Sequence, residues 1–324
     1  MPRSNFVHLC WLASLISIGV VAPALAQSTA TLRIATYNIE ADIEDTSRGD
    51  ITTRTTPRSG LYQVLEAIGT EKSSTGNFQP FDILALQETT SNSTTVAPIV
   101  NALNSYYDGY FGVASGAPAV QQPYAQSPVQ GGQNGVKDSG NGPNAVVYNQ
   151  KTLTLIASVG VGTPHGSSNG EYRQVMRYEF RPVGGTAAND FYVYVSHYKA
   201  STGSTNEAAR NGEAQIIRND EAANLPSDAR VLYVGDFNVG SSDEAMYQTL
   251  VAPNSPSGIN QGQAFDVLNP SGATGISWET TPGSNLATKV QYRTENSTDL
   301  HYRDDFEMMT SNVYNGIAGG LSLI

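Results

Sequence analysis

Apolar and polar residues fall into short blocks along most of the chain, and their rhythm predicts the elements. LRIATYNIE (32–40) alternates and then ends in polar groups, as a strand does. SGLYQVLEAIG (59–69) puts Leu61, Val64, Leu65 and Ile68 at helical spacing, with Ser59 as cap and Gly69 as stop. FDILALQE (81–88) reads as a strand with an acid at its end, and TTVAPIVNALNSYY (94–107) as a helix with Pro98 in its first turns. Residues 112–144, rich in Gly, Gln, Ser, Asn and Pro, read as a long irregular loop inserted in one domain. NAVVYN (144–149), LTLIASVGV (153–161), QVMRYEFRPV (174–183) and DFYVYVSHYKA (190–200) read as strands, the last two separated by a Gly184-Gly185 turn. NEAARNGEAQIIRNDEAANL (206–225) predicts a helix. The strand VLYVGDFNV (231–239), a short helix beginning near Ser241, a Gly/Pro/Ser-rich tract to about residue 285 and a last strand around 303–310 complete the order.

Strands and helices mix without strict alternation, and several strands are apolar on both faces. Two packed sheets with outer helices fit this better than a single parallel sheet. No internal repeat is visible.

Residues 1–26 fall outside this rhythm. A basic start at Arg3, an apolar stretch through Val21 and Ala24-Leu25-Ala26 before Gln27 have the layout of a secretory signal peptide. A short membrane anchor is the alternative, but the stretch is short and the small residues sit where a peptidase would cut; no second apolar run is long enough to span a bilayer. The expectation is an exported protein, periplasmic or extracellular, beginning at Gln27, with residues 27–324 as one domain. Roughly 300 residues suffice for one large domain. The only cysteine, Cys10, leaves with the signal, so no disulfide supports the core. Removing Arg3 from the 18 basic residues leaves 17 against 29 acidic, a formal charge of −12. Net charge therefore gives no long-range attraction to nucleic acid or to an anionic membrane.

The informative feature is what stands at the strand ends. Asn38 follows Ile34 to Tyr37, Glu88 follows Ile83 to Gln87, and His197 follows Val193 to Ser196. Asp236 and Asn238 follow Val231 to Val234, while Arg303, Asp304 and Asp305 lead into Phe306. Functional groups on the rim of a rigid scaffold are how active sites are built. These residue types suit phosphoester hydrolysis. Glu88 and Asn38 offer oxygen ligands to a hard cation such as Mg²⁺. Asp236 can take a proton from water, Asn238 can hold that water or a phosphate oxygen, and His197 can donate to a phosphoryl group as its charge grows.

In order, TYN, LALQE, NAVVYN, VSHYKA and VGDFN resemble the endonuclease/exonuclease/phosphatase superfamily. This metal-dependent group includes exonuclease-III-like and DNase-I-like nucleases, sphingomyelinases and inositol phosphatases. The resemblance runs from about residue 31 to 315, and GDFN after an apolar strand is its most specific part. It implies an α/β four-layer sandwich, two packed, mostly antiparallel β-sheets flanked by helices. It also implies Asn38 and Glu88 as the metal site, His197 as the phosphate contact and Asp236 with Asn238 as the water-activating pair. Asp305 of RDDF matches the Asp of the family's R-I-D-Y-like strand, with Asp304 and Phe306 at the Ile and Tyr positions. Arg173 of EYRQVMRYEF is a looser match to a substrate-binding Arg. The implied cofactor is Mg²⁺, with Mn²⁺ or Ca²⁺ as alternatives. The family's later Ser-Asp-His segment has no counterpart here, and His165 and His301 are the other histidines after the signal. The expectation is that the domain is C-terminally incomplete, with an exposed apolar sheet edge near 303–315.

The expected function is hydrolysis of phosphodiesters, in nucleic acid or in a phospholipid headgroup, by in-line attack of water, with a nuclease-like activity first. The rivals are a sphingomyelinase-like lipid phosphodiesterase, for which Tyr106-Tyr107 is a faint candidate for an exposed aromatic hairpin, and a non-catalytic extracellular binding module on the same scaffold. A structural surface protein is a third. No partner protein follows from the sequence. Taken singly, Asn38 and Asp236 also fit turns after strands, Glu88 a solvated loop acid, His197 a surface cluster and Asp305 a partner for Arg303.

Overall fold

The computed structural model describes residues 32–39, 63–65, 80–89, 91–114, 116–129, 131, 143–162, 173–253, 261–278 and 303–314. The signal segment, most of the helix expected over 59–69, His165 and His301 lie outside these residues. Of that helix, residues 63–65 are described; they are helical and bury Leu65.

A four-stranded sheet carries β1 (Ile34–Asn38), β2 (Ile83–Gln87), β3 (Tyr124–Gln126) and β4 (Ala145–Asn149) in the order β1-β2-β4-β3. A six-stranded sheet carries β5 (Leu153–Val161), β6 (Val175–Pro182), β7 (Phe191–His197), β8 (Arg230–Asp236), β9 (Ala264–Asp266) and β10 (Asp305–Thr310) in the order β5-β6-β7-β8-β10-β9. Pairing is antiparallel except for β1 with β2 and β7 with β8. Helix α1 (Ala97–Phe111), entered through a π turn over Asn92–Val96, covers the small sheet. Helices α2 (Ser204–Asn224) and α3 (Ala245–Val251) cover the large one, and a short α4 (Ser311–Tyr314) follows β10.

Three cores separate these four layers. Ile99, Leu103 and Tyr107 of α1 pack on Leu84, Leu86 and Val147 of the small sheet. Ile83, Ala85 and Val146 meet Val193, Val195, Leu232 and Val234 between the sheets. Ala214 and Ile217 of α2, with Met246 and Leu250 of α3, pack on Tyr194, Tyr233 and Met308. Strands β2 and β8 are buried on both faces for this reason, which is why they read as continuous apolar runs.

Several expectations change. The tract 112–144 is not loop throughout, since a 3₁₀ turn over Ala119–Gln121 and strand β3 lie in it. Helix α3 starts at Ala245 rather than near Ser241, because the Glu244 carboxylate accepts the Gly240 N–H at 2.8 Å and closes a turn first. β10 is not an outer strand: β9 pairs with Met308–Thr310 and covers the edge expected to be open there. Tyr106 and Tyr107 belong to α1, not to a hairpin, and Tyr107 packs against Phe81 and Tyr124 in the core.

Candidate active site

The strand ends converge. Asn38 ends β1, Glu88 follows β2, His197 ends β7 and Asp236 ends β8. β7 and β8 are parallel and in register, so His197 stands beside Asp236. β10 runs antiparallel to β8 and begins where β8 ends, which sets Asp305 opposite Asp236. Directly opposed residues of neighbouring strands share a face.

Asn38 lies at the centre. Its Nδ2 donates to Asp236 Oδ2 at 2.8 Å and to Glu88 Oε1 at 3.0 Å. His197 Nε2 stands 3.5 Å from Glu88 Oε1 and 3.8 Å from Asp236 Oδ2. Glu88, His197 and Asp236 each bring a ligand-type atom within 4.8 Å of the other two. His197 and Asp236 are buried and Glu88 is half-buried. Carboxylates gathered around one amide at a buried site call for a cation or a proton to offset their repulsion and desolvation. Two carboxylates beside an amide suit a hard divalent cation, Mg²⁺, Mn²⁺ or Ca²⁺. Glu88 and Asn38 would hold it, with Asp236 and His197 adjoining.

Local backbone conformation makes this possible. Alternation along β2 would send Glu88 outward with Leu84 and Leu86, towards α1. Instead Glu88 has φ 55, a left-handed conformation that costs a residue of its type about 1–2 kcal/mol and here redirects the side chain to the site. Asn238, also left-handed at φ 49, donates its N–H to Asp236 Oδ1 at 3.0 Å and its Nδ2 to the Tyr198 carbonyl at 3.0 Å. Gly235 explains the glycine before the acid: at φ 138, a Cβ there would meet the Ser196 carbonyl oxygen at 1.9 Å. Only glycine lets β8 approach β7 so closely.

A stack on the far side of the large sheet fixes the strand ends. Tyr198 stacks on Phe237 at 4.8 Å, Phe237 on Phe306 at 5.3 Å, and the Arg303 guanidinium caps Phe306 at 3.7 Å. Arg303 makes a two-pronged ion pair with Asp266 at 2.7 and 2.8 Å, so it does not pair with Asp305. The Phe237 N–H donates to the Asp304 carbonyl at 2.7 Å. Arg173, expected as a substrate contact, is buried, and its NH1 donates to the Tyr198 carbonyl at 2.5 Å. Its bonds hold the turn that carries His197.

Sequence reasoning missed Glu213. This buried acid of α2 accepts the Arg173 N–H at 2.5 Å and the Lys199 N–H at 3.0 Å. Its signal was a charge on the apolar face of a helix, where Glu213 adjoins Ala214 and lies one turn from Ala209 and Ile217. Burial pushes its carboxyl up to about 7, against the two N–H bonds that favour the charged form.

A family model described as "Endonuclease/Exonuclease/phosphatase family" matches residues 35–291, a span that holds Asn38, Glu88, His197, Asp236 and Asn238. Among solved structures, an endonuclease/exonuclease/phosphatase family protein from Bacteroides thetaiotaomicron is 16% identical, covers 87% of this chain and 84% of its own, and superposes with a TM-score of 0.50. The human Nocturnin catalytic domain is 16% identical over 87% of this chain and 83% of its own, with a TM-score of 0.48. A mannosyl-6-phosphatase from Bacteroides thetaiotaomicron is 15% identical over 87% of this chain and 86% of its own, also at 0.48. No curated protein matches the sequence.

Proposed function

The chain belongs to the endonuclease/exonuclease/phosphatase family, and on that premise we propose that it is an exported, divalent-metal-dependent phosphoesterase that hydrolyses phosphodiesters by in-line attack of water, with nucleic acid as its first substrate class. One observation carries this reading: Asn38, Glu88, His197 and Asp236, at the ends of four separate strands, come within hydrogen-bonding or ion-pairing reach of their neighbours in the cluster.

When bound, the cation adds positive charge beside the phosphoryl oxygens and makes a water easier to deprotonate. The chain's own residues do the rest. Asp236 takes the proton of the attacking water as the new P–O bond forms and the ester P–O bond breaks, the departing alkoxide taking a proton from solvent. The Asn238 N–H holds Oδ1 of that carboxylate, and the Asn238 Nδ2 bond to Tyr198 leaves Oδ1 of the Asn238 amide to accept from the water. His197, poised beside both carboxylates, donates to a phosphoryl oxygen whose charge increases in the transition state. Asp305, opposite Asp236 on the next strand, completes the catalytic set.

Export is supported by the signal-like layout of residues 1–26. Among the described residues no helix is long and apolar enough to cross a membrane. Substrate class is tested by presenting Mg²⁺-loaded protein with single-stranded DNA, duplex DNA and sphingomyelin vesicles in parallel. Cleavage of a nucleic acid is the expected result. Cleavage of sphingomyelin alone would move the assignment to a lipid phosphodiesterase.

A further inference from the structure

We propose that Glu213 is a positioning residue of this site, acting on His197 and Asn238 through the backbone turn that joins them. The inference rests on the phosphoesterase reading and deepens it.

The turn His197-Tyr198-Lys199 leaves the end of β7. On one side the Tyr198 N–H donates to the Asp236 carbonyl at 2.8 Å, continuing the β7–β8 ladder past the strand. On the other, the Tyr198 carbonyl accepts both Asn238 Nδ2 at 3.0 Å and Arg173 NH1 at 2.5 Å. One carbonyl therefore orients the water-positioning amide, and its own direction depends on what fixes the turn. That anchor is the Glu213 carboxylate. Oε2 accepts the Lys199 N–H immediately after Tyr198, and Oε1 accepts the N–H of Arg173, whose guanidinium returns to Tyr198. The loop is closed: a single side chain from α2 holds the turn and the arginine that braces it. Arg210, one turn earlier on α2, adds NH1 bonds to the Lys199 and Ser201 carbonyls at 2.8 and 2.9 Å.

The chemistry requires a carboxylate. Two converging N–H donors need two acceptor oxygens, which a carboxylate has. Glutamine has one, and its NH₂ would face the other donor. A buried carboxyl that burial disfavours is retained here where both of its oxygens are used.

The same helix provides the control. Glu221 is equally buried, and burial pushes its carboxyl up to about 8, but it lies beside Tyr233 and Gly262, away from the turn. Glu213→Gln and Glu221→Gln are compared with wild type in two readouts. One is Mg²⁺-dependent turnover of bis(p-nitrophenyl) phosphate. The other is the His197 ring resonance by NMR, identified by its loss in His197→Gln. Glu213→Gln is expected to lower kcat by about 10–100-fold with KM unchanged, and to move the His197 resonance. Glu221→Gln should leave both readouts as in wild type. If Glu213→Gln does not fold, Glu213→Asp, one methylene short of the turn, is read in its place. A folded Glu213 variant with wild-type kcat and resonance overturns the proposal, and so does an equal loss in both helix variants. If wild type shows no turnover, the phosphoesterase reading has failed separately, and the His197 resonance alone decides whether Glu213 positions the turn.

Discussion

Glu88 and Asp236 share one donor: the side-chain nitrogen of Asn38 lies 3.0 Å from the first carboxylate and 2.8 Å from the second. The two acids come from different sheets, so this nitrogen ties the sheets together at the reactive end. Asn38→Ala removes the donor that holds both acids in place, and with it an amide oxygen that could face the cation. Mg²⁺ affinity and turnover should each fall by about 10–100-fold, read by isothermal titration and by phosphodiester hydrolysis. Wild-type affinity in the variant would remove Asn38 from the site.

Gly235→Ala tests the close approach of β7 and β8. The added methyl would meet the Ser196 carbonyl oxygen at 1.9 Å on a left-handed backbone. The strand ends must separate, at a cost of at least about 2 kcal/mol. Urea unfolding should show a lower midpoint, and the folded variant should have lost activity, because His197 and Asp236 sit on the separated pair.

Arg303→Met tests the brace behind the site. It leaves Asp266 buried without its two-pronged partner and uncaps the Phe306 ring. Breaking such a buried pair costs about 3–5 kcal/mol. The expected result is a large fall in thermal midpoint, and an unchanged midpoint would contradict the role given to the ion pair.

Stability should decline with rising pH between 4.5 and 8. Burial pushes the carboxyl of Glu307 up to about 7 and that of Glu221 up to about 8, from an ordinary 4.5. In that window the folded chain keeps protons that the unfolded chain has released. The contribution is complete below pH 4.5 and is lost as pH rises through 7 to 8. Thermal midpoints across the window check this, and Glu221→Gln should flatten the upper part of the curve.

Much of this was legible because the scaffold and the site use separate signals. Strands buried on both faces, such as Ile83–Gln87 and Arg230–Asp236, show as apolar runs, and a polar group at the end of such a run stands out. Asn38, Glu88, His197, Asp236 and Asp305 were singled out that way, and the first four meet at the strand ends. Strands β3 and β9 were not, since three residues are too few to show a period of two. Glu213 was hidden because an acid in a charged helix reads as solvated, and its burial is set by the loop it supports. Arg173 was assigned by position alone, and position does not distinguish a guanidinium aimed at substrate from one aimed at a backbone carbonyl.

The most direct measurement is hydrolysis of bis(p-nitrophenyl) phosphate by the purified chain, stripped with chelator and then titrated with Mg²⁺, with Asp236→Ala in parallel. Turnover should disappear with the metal, return on titration and be absent in the folded variant. Turnover that survives the chelator, or that Asp236→Ala retains, would contradict metal-dependent hydrolysis with Asp236 as the base.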